Sequence, residues 1–160
     1  MKKLIFSLLA ASALFVSFAF GKSAKNEEIE EPEKTSNLIK NGDFSKGKKF
    51  WDMFLSNGSA DQLVTENGEM EIRIKNPGPY EYAIQPYFDG FSLYKGGVYK
   101  YSFDVHSSIE RTFEWRLQVN GRDYHAYVGG CDSVGKETKH IETTFTMLEP
   151  TDFSPRLVLN

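Results

Sequence analysis

The stretch of this chain richest in groups that could do chemistry is EWRLQVNGRDYHAYV, residues 114–128, in which charged, amide and aromatic side chains interleave with apolar ones. Asn-Gly is the favoured pair for a two-residue type I′ hairpin loop, so Asn120-Gly121 predicts a hairpin whose register follows by counting outward from the turn. Counting pairs Arg116 with His125 and Glu114 with Tyr127. One face then carries Glu114, Arg116, Gln118, Asp123, His125 and Tyr127. The other carries Phe113, Trp115, Leu117, Val119, Tyr124, Ala126 and Val128 and reads as core.

Three catalytic chemistries can be drawn from such residues. Cys131, beside Gly129 and Gly130, could be a nucleophile served by His125 or His140 with Asp132. Glycines next to a cysteine at a strand end more often make a turn, and Cys131 as a lone cysteine is expected to be buried as a small hydrophobe. A carboxylate pair for glycoside hydrolysis could come from Glu81, Asp104, Glu110, Glu114 and Asp123, yet no spacing sets two of them across a cleft. His106, His125 and His140 match no metal-ligand pattern. Binding suits the hairpin better. Sugar hydroxyls both donate and accept, which matches Arg, Gln, Asn and Glu, and the C–H face of a pyranose lies well against an aromatic ring. A merely solvated face, with Arg116 weakly paired to Glu114 and Asp123, is the alternative that the hairpin leaves open.

The elements that must hold this face are strands. Met70, Ile72 and Ile74 alternate with charged residues behind an Asn67-Gly68 turn. Tyr80, Tyr82 and Ile84 point inward in YEYAIQPYF, with Glu81, Gln85 and Tyr87 outward. Tyr99, Tyr101, Phe103 and Val105 form a further inward set, as do Ile141, Thr143, Phe145 and Met147. In PRLVLN, Leu157 and Leu159 face in and Arg156, Val158 and Asn160 face out. Short alternating strands separated by turn signals at about ten-residue spacing predict an all-β antiparallel sandwich or jelly roll. No segment reads as an amphipathic helix of three turns, and no Gly-rich motif opens a helix to cradle phosphate.

The aromatic load is concentrated in residues 37–160, long enough for a single core. Ahead of them, Lys2 and Lys3 precede an apolar run from Leu4 to Phe20, and Ala19-Phe20-Gly21 offers small residues at a peptidase's recognition positions. Residues 1–21 therefore read as a signal peptide cut after Gly21, with a single membrane anchor the alternative. A secreted protein, extracellular or periplasmic, with no membrane contact after cleavage, follows. Residues 22–36, KSAKNEEIEEPEKTS, hold five glutamates and no aromatic residue and read as an acidic disordered linker. Formal net charge is −3, and losing the two signal lysines makes it about −5, which argues against a nucleic-acid partner. With one cysteine there is no intramolecular disulfide framework.

From Asn37 onward the chain resembles a carbohydrate-binding module of the family 4/9 type, found in bacterial cellulases, xylanases and laminarinases. The matching stretches are NLIKNGDFSKGKKFW, ENGEMEIRIKNPG, YAIQPYFDGFSLYKGGVYKYSFDVHSS, RTFEWRLQVNGRDYHAY and FTMLEPTDFSPRLVLN. The resemblance implies a galactose-binding-domain-like jelly roll that is not itself catalytic. It implies that a cleft on the concave sheet takes a polysaccharide chain, a β-glucan or xylan, and that a linked glycoside hydrolase is thereby kept at its substrate. Carried over position by position, the ligand-gripping residues are Phe54, Gln85 with Asp89 as a further candidate, Arg116, Tyr127 or Tyr124, Arg156 and Asn160. Tyr87, Glu114 and His125 neighbour them. The counted hairpin favours Tyr127 over Tyr124, and Trp51 and Trp115 are assigned to the core. The family pattern runs on past LVLN into an aspartate-rich closing strand, so a C-terminally truncated sandwich with an open edge is expected. No cofactor is required. A structural calcium, for which Asp43 and the Gly68 carbonyl match ligands, would lack the carboxylate of that closing strand.

Overall fold

A computed structural model describes residues 4–17 and 36–160, the first of these by backbone pairing alone. Apart from Ser36, the segment read as a linker lies outside the described residues, as do positions 1–3 and 18–21. The described residues form ten strands: β1 Leu4–Ser17, β2 Trp51–Leu55, β3 Ser59–Val64, β4 Met70–Asn76, β5 Ile84–Phe88, β6 Val98–Ser107, β7 Arg111–Gln118, β8 Ala126–Val134, β9 Lys139–Thr146 and β10 Arg156–Leu159. They make two five-stranded sheets, β3-β4-β1-β6-β9 and β2-β5-β10-β7-β8, with every pairing antiparallel.

The period-2 pattern builds the core as expected on most strands. On β6, Tyr99, Tyr101, Phe103 and Val105 are fully buried, and they meet Phe113, Trp115 and Leu117 of β7 from the opposite sheet. Tyr101 lies 5.5 Å from Trp115 between ring centroids, and Phe103 packs edge-on against Phe113 at 5.8 Å and Trp115 at 5.9 Å. A second aromatic series, Phe44 to Trp51 to Phe88 at 5.4 Å per step, closes the other side. Tilted and edge-to-face rings pair the positive edge of one with the negative face of the next, adding to area burial. Both tryptophans are therefore core, and the outer face of the β2-β5-β10-β7-β8 sheet is left to polar groups.

The hairpin differs from its counted register. Asn120-Gly121 does not make a two-residue turn. Gly121 (φ 101°), Arg122 (53°) and Tyr124 (54°) take left-handed conformations, Tyr124 N donates to Gly121 O, and Val119 N donates to His125 O. The loop thus spans 119–125. Arg116 pairs with Gly129 and Glu114 with Cys131, a displacement of four residues from the counted partners, with a bulge between Leu117 and Gln118. Because the displacement is even, the β8 residues opposite Glu114 and Arg116 have the same parity as the counted partners. Tyr124 is exposed, not core, and Gln118 is buried, not outward.

Other expectations are corrected as well. Gly129, Gly130 and Cys131 lie inside β8, not in a turn, and Cys131 is exposed. A Cβ on Gly130 would stand 2.7 Å from Trp115 Nε1, and one on Gly129 2.8 Å from the Trp115 carbonyl, so packing against Trp115 requires both glycines. Tyr80 and Tyr82 lie before β5 and are half exposed, because the Pro77-Gly78-Pro79 bend carries them off the core face. Val158 is buried between β5 and β7. Distinct from these corrections, residues of the apolar run read as an export signal form β1, hydrogen-bonded between β4 and β6, with Leu8 opposite both Met70 and Val105. An unbroken apolar run has the composition for either role.

Candidate functional site

The outer face of the β2-β5-β10-β7-β8 sheet is organised in rows set by strand register. Phe54 of β2 is opposite Gln85 of β5, and on β7 Glu114 is opposite Cys131 of β8. Asn160 follows β10 and continues its pairing to β7, exchanging backbone hydrogen bonds with Glu114 at 2.7 and 3.2 Å. The side chains of this row are joined. Gln85 Nε2 donates to Asn160 Oδ1 at 2.9 Å, Asn160 Nδ2 donates to Glu114 Oε2 at 3.2 Å, and Arg116 donates to Glu114 Oε1 through Nε at 3.0 Å and through Nη2. Phe54, nearly half exposed, stands at the end of the row. Gly129, opposite Arg116, adds no side chain to the floor.

The next row is built around Tyr87. Its hydroxyl donates to Asp52 Oδ2 at 3.1 Å, and desolvation, followed by that hydrogen bond, raises its pKa above the usual phenol value. Arg156 lies over the ring with Cζ 3.9 Å from the centroid and donates through Nη2 to Asp89 Oδ2 at 3.0 Å. A planar cation on a ring is a favourable contact. It also covers one face of Tyr87, so Phe54 is the open ring of this surface.

The structure thus brings Phe54, Gln85, Tyr87, Glu114, Arg116, Arg156 and Asn160 onto one face. His125 and Tyr127 belong to a separate group at the hairpin end. His125 Nδ1 contacts Asp123 Oδ1 at 2.8 Å and Nε2 contacts Glu149 Oε2 at 2.9 Å. Tyr127 OH donates to Asp152 Oδ2 at 2.8 Å, and burial first, then that bond, raises its pKa strongly. Asp52, which orients Tyr87, and Arg111, which opens β7, were not singled out from sequence. Arg111 carries a signal in retrospect: a cation at the inward parity of Phe113 and Trp115.

Asp43 and Gly68 do come together, since a Cβ on Gly68 would lie 3.4 Å from the Asp43 carbonyl. Asp43 Oδ1 already accepts from Ser45 N and Oγ at 3.2 and 3.0 Å, which holds its pKa below the usual carboxylate value. That is a small part of the six to eight oxygens calcium takes, and no cluster of three His, Cys, Asp or Glu able to hold a metal exists among the described residues. Asp43 and Gly68 by themselves do not complete such a set.

Hydrogen-bonding groups fixed in rows, an open ring at one end and a glycine floor form a surface suited to a planar, hydroxyl-rich ligand. Residues 36–160 match the family profile described as "Carbohydrate binding domain", of types 4 and 9. Nine solved chains match the fold. One of them, described as "CBM4 structure and function", superposes with a TM-score of 0.71 at 20% identity, covering 76% of this chain and 87% of that one. No curated protein matches the chain.

Proposed function

Since the chain belongs to this carbohydrate-binding family, we propose that the outer face of the β2-β5-β10-β7-β8 sheet holds a single β-glucan or xylan chain without cleaving it. In this reading the module keeps a linked glycoside hydrolase near polysaccharide outside the cell. The observation that carries it is the joined row Gln85–Asn160–Glu114–Arg116 beside the exposed Phe54. The internal hydrogen bonds fix where each remaining donor and acceptor points, so little side-chain entropy is lost when sugar hydroxyls replace water. Phe54 supplies the apolar surface for a pyranose face. Because exchanging water for protein hydrogen bonds nets little, binding of roughly −4 to −7 kcal/mol is expected, a dissociation constant of about 10⁻³ to 10⁻⁵ M.

One observation favours a second reading, a structural or adhesive surface domain. Arg116 gives two nitrogens to Glu114, so the face partly satisfies itself. Their side chains are 40% and 25% exposed. A pair so open to water contributes only about 0.2–1 kcal/mol, small against the expected binding energy, so a ligand can displace it.

Affinity electrophoresis in gels containing laminarin, barley β-glucan, xylan or hydroxyethyl cellulose tests the proposal. Retardation by at least one polymer is expected, reduced about tenfold or more in affinity by Arg116→Ala and by Phe54→Ala with near-UV circular dichroism unchanged. Free migration of the folded wild type in every gel would favour the structural domain instead.

A further inference from the structure

The joined row does not end at Asn160. Two recesses open beyond it, one on the outer face lined by Glu114, Cys131 and Thr112, the other at the end of the sandwich lined by Ile74, Tyr80 and the Pro77–Pro79 bend. Glu81, Arg111 and Asn160 line both, so the two recesses adjoin at Arg111. Arg111 is the first residue of β7, half-buried at the same parity as Phe113 and Trp115.

Three of the five arginines have a carboxylate partner: Arg73 with Glu71, Arg116 with Glu114 and Arg156 with Asp89. Arg111 has none among the described residues. Its Nε donates to the neighbouring Thr112 carbonyl at 3.1 Å, and its terminal nitrogens make no hydrogen bond to a described residue. Burial is the influence that lowers its pKa, with no charged group among the described residues contributing. A partly desolvated guanidinium with two free nitrogens is a receptor for a planar anion, because its fork matches a carboxylate bidentately. On the bend beside it, Tyr80 and Tyr82 stack in parallel at 5.2 Å and 2°, each about half exposed. Two exposed rings held face to face present a rigid apolar platform.

We propose that Arg111 and the Tyr80–Tyr82 platform form an acidic-sugar subsite at the end of the groove, taking a uronic acid whose carboxylate meets Arg111 while its ring lies against Tyr80. The assignment rests on the glycan-binding reading above and specifies the substrate class: a xylan or glucan bearing uronic acid groups. Glu114 in the adjoining recess is held by Arg116 and Asn160, which leaves Glu81 as the carboxylate opposing such a group. The protein's distant negative charges are screened beyond about 8 Å at physiological salt, so the local fork outweighs the net charge.

The test is titration calorimetry of the full chain with glucuronoxylan and with the same polymer after chemical reduction of its carboxyl groups. The acidic polymer is expected to bind about tenfold more tightly, a preference that shrinks with added salt. Arg111→Gln should abolish the preference while leaving affinity for the reduced polymer unchanged, and Arg111→Lys should retain part of it. Equal affinity of the wild type for both polymers would overturn this subsite and leave the glycan reading standing. A preference that survives in folded Arg111→Gln would overturn it too. Binding to neither polymer would overturn the subsite and restrict the glycan reading to a β-glucan chain.

Discussion

His125 is held by two carboxylates, one on each ring nitrogen, and that geometry fixes its charge. A neutral imidazole donates from one nitrogen only, whereas Asp123 at Nδ1 and Glu149 at Nε2 each accept, so both nitrogens must carry protons. The Asp123 bond, then the Glu149 bond, raise its pKa above the ordinary imidazole value. Stability from a raised histidine is fully present below the unfolded pKa of about 6.5 and fades as pH rises through the folded value. The tie joins the 119–125 loop to the segment around Glu149, so its loss frees a local segment and leaves the core packed. Limited proteolysis is expected to cut these loops faster at pH 9 than at pH 6, and His125→Ala should be cut equally fast at both. A cleavage rate independent of pH in the wild type would show that the carboxylates do not hold the imidazolium. His140, bonded to Asp104 at 2.6 Å and also raised, has the same sign on the other sheet, which is why the readout must be local.

At the scale of the element, the β7–β8 hairpin shows what was readable and what was not. Period-2 alternation is a property of the strand itself, and it correctly predicted Phe113, Trp115 and Leu117 as core and Glu114 and Arg116 as outer face. Register depends on the loop, and there Asn-Gly misled: left-handed Arg122 and Tyr124 extend the loop to seven residues, and only the even displacement preserved the parity of the β8 partners. His125 and Tyr127 consequently moved out of the candidate site, while the resemblance to the family carried Phe54, Gln85 and Asn160 onto it from strands whose adjacency no local pattern reveals. Tyr80 and Tyr82 were misread because alternation cannot see the proline bend that ends it. The glycines of β8 carry the element's energetic prediction. A Cβ at Gly130 must displace the Trp115 indole, whose Nε1 donates to Asp132 Oδ2 at 3.3 Å, and overpacking of this kind costs about 1–3 kcal/mol. Gly130→Ala is expected to lower the urea midpoint accordingly with an unchanged m-value, and a stability equal to wild type would mean that the tryptophan yields freely.

For the whole molecule the decisive element is β1. It is the central strand of its sheet, pairing with β4 from Leu4 to Leu8 and with β6 along most of its length. Without it the sheet divides into a β3–β4 pair and a β6–β9 pair, each presenting an unsatisfied edge, and such edges recruit other strands. The same residues have the composition of an export signal, so the two roles make opposite demands on one segment. The ligand face is on the other sheet, but Tyr101 and Phe103 of β6 support Trp115 of β7 directly, which couples loss of β1 to the binding strands. A chain beginning at Lys22 is therefore expected to melt at least roughly 10 °C below the full chain and to associate with rising concentration, as losing several kcal/mol from a domain of this size implies. Calorimetry with sedimentation velocity measures both. If the shortened chain instead melts unchanged as a monomer, residues 36–160 stand without β1, and the outer face of the β2-β5-β10-β7-β8 sheet keeps its geometry after the first 21 residues are removed.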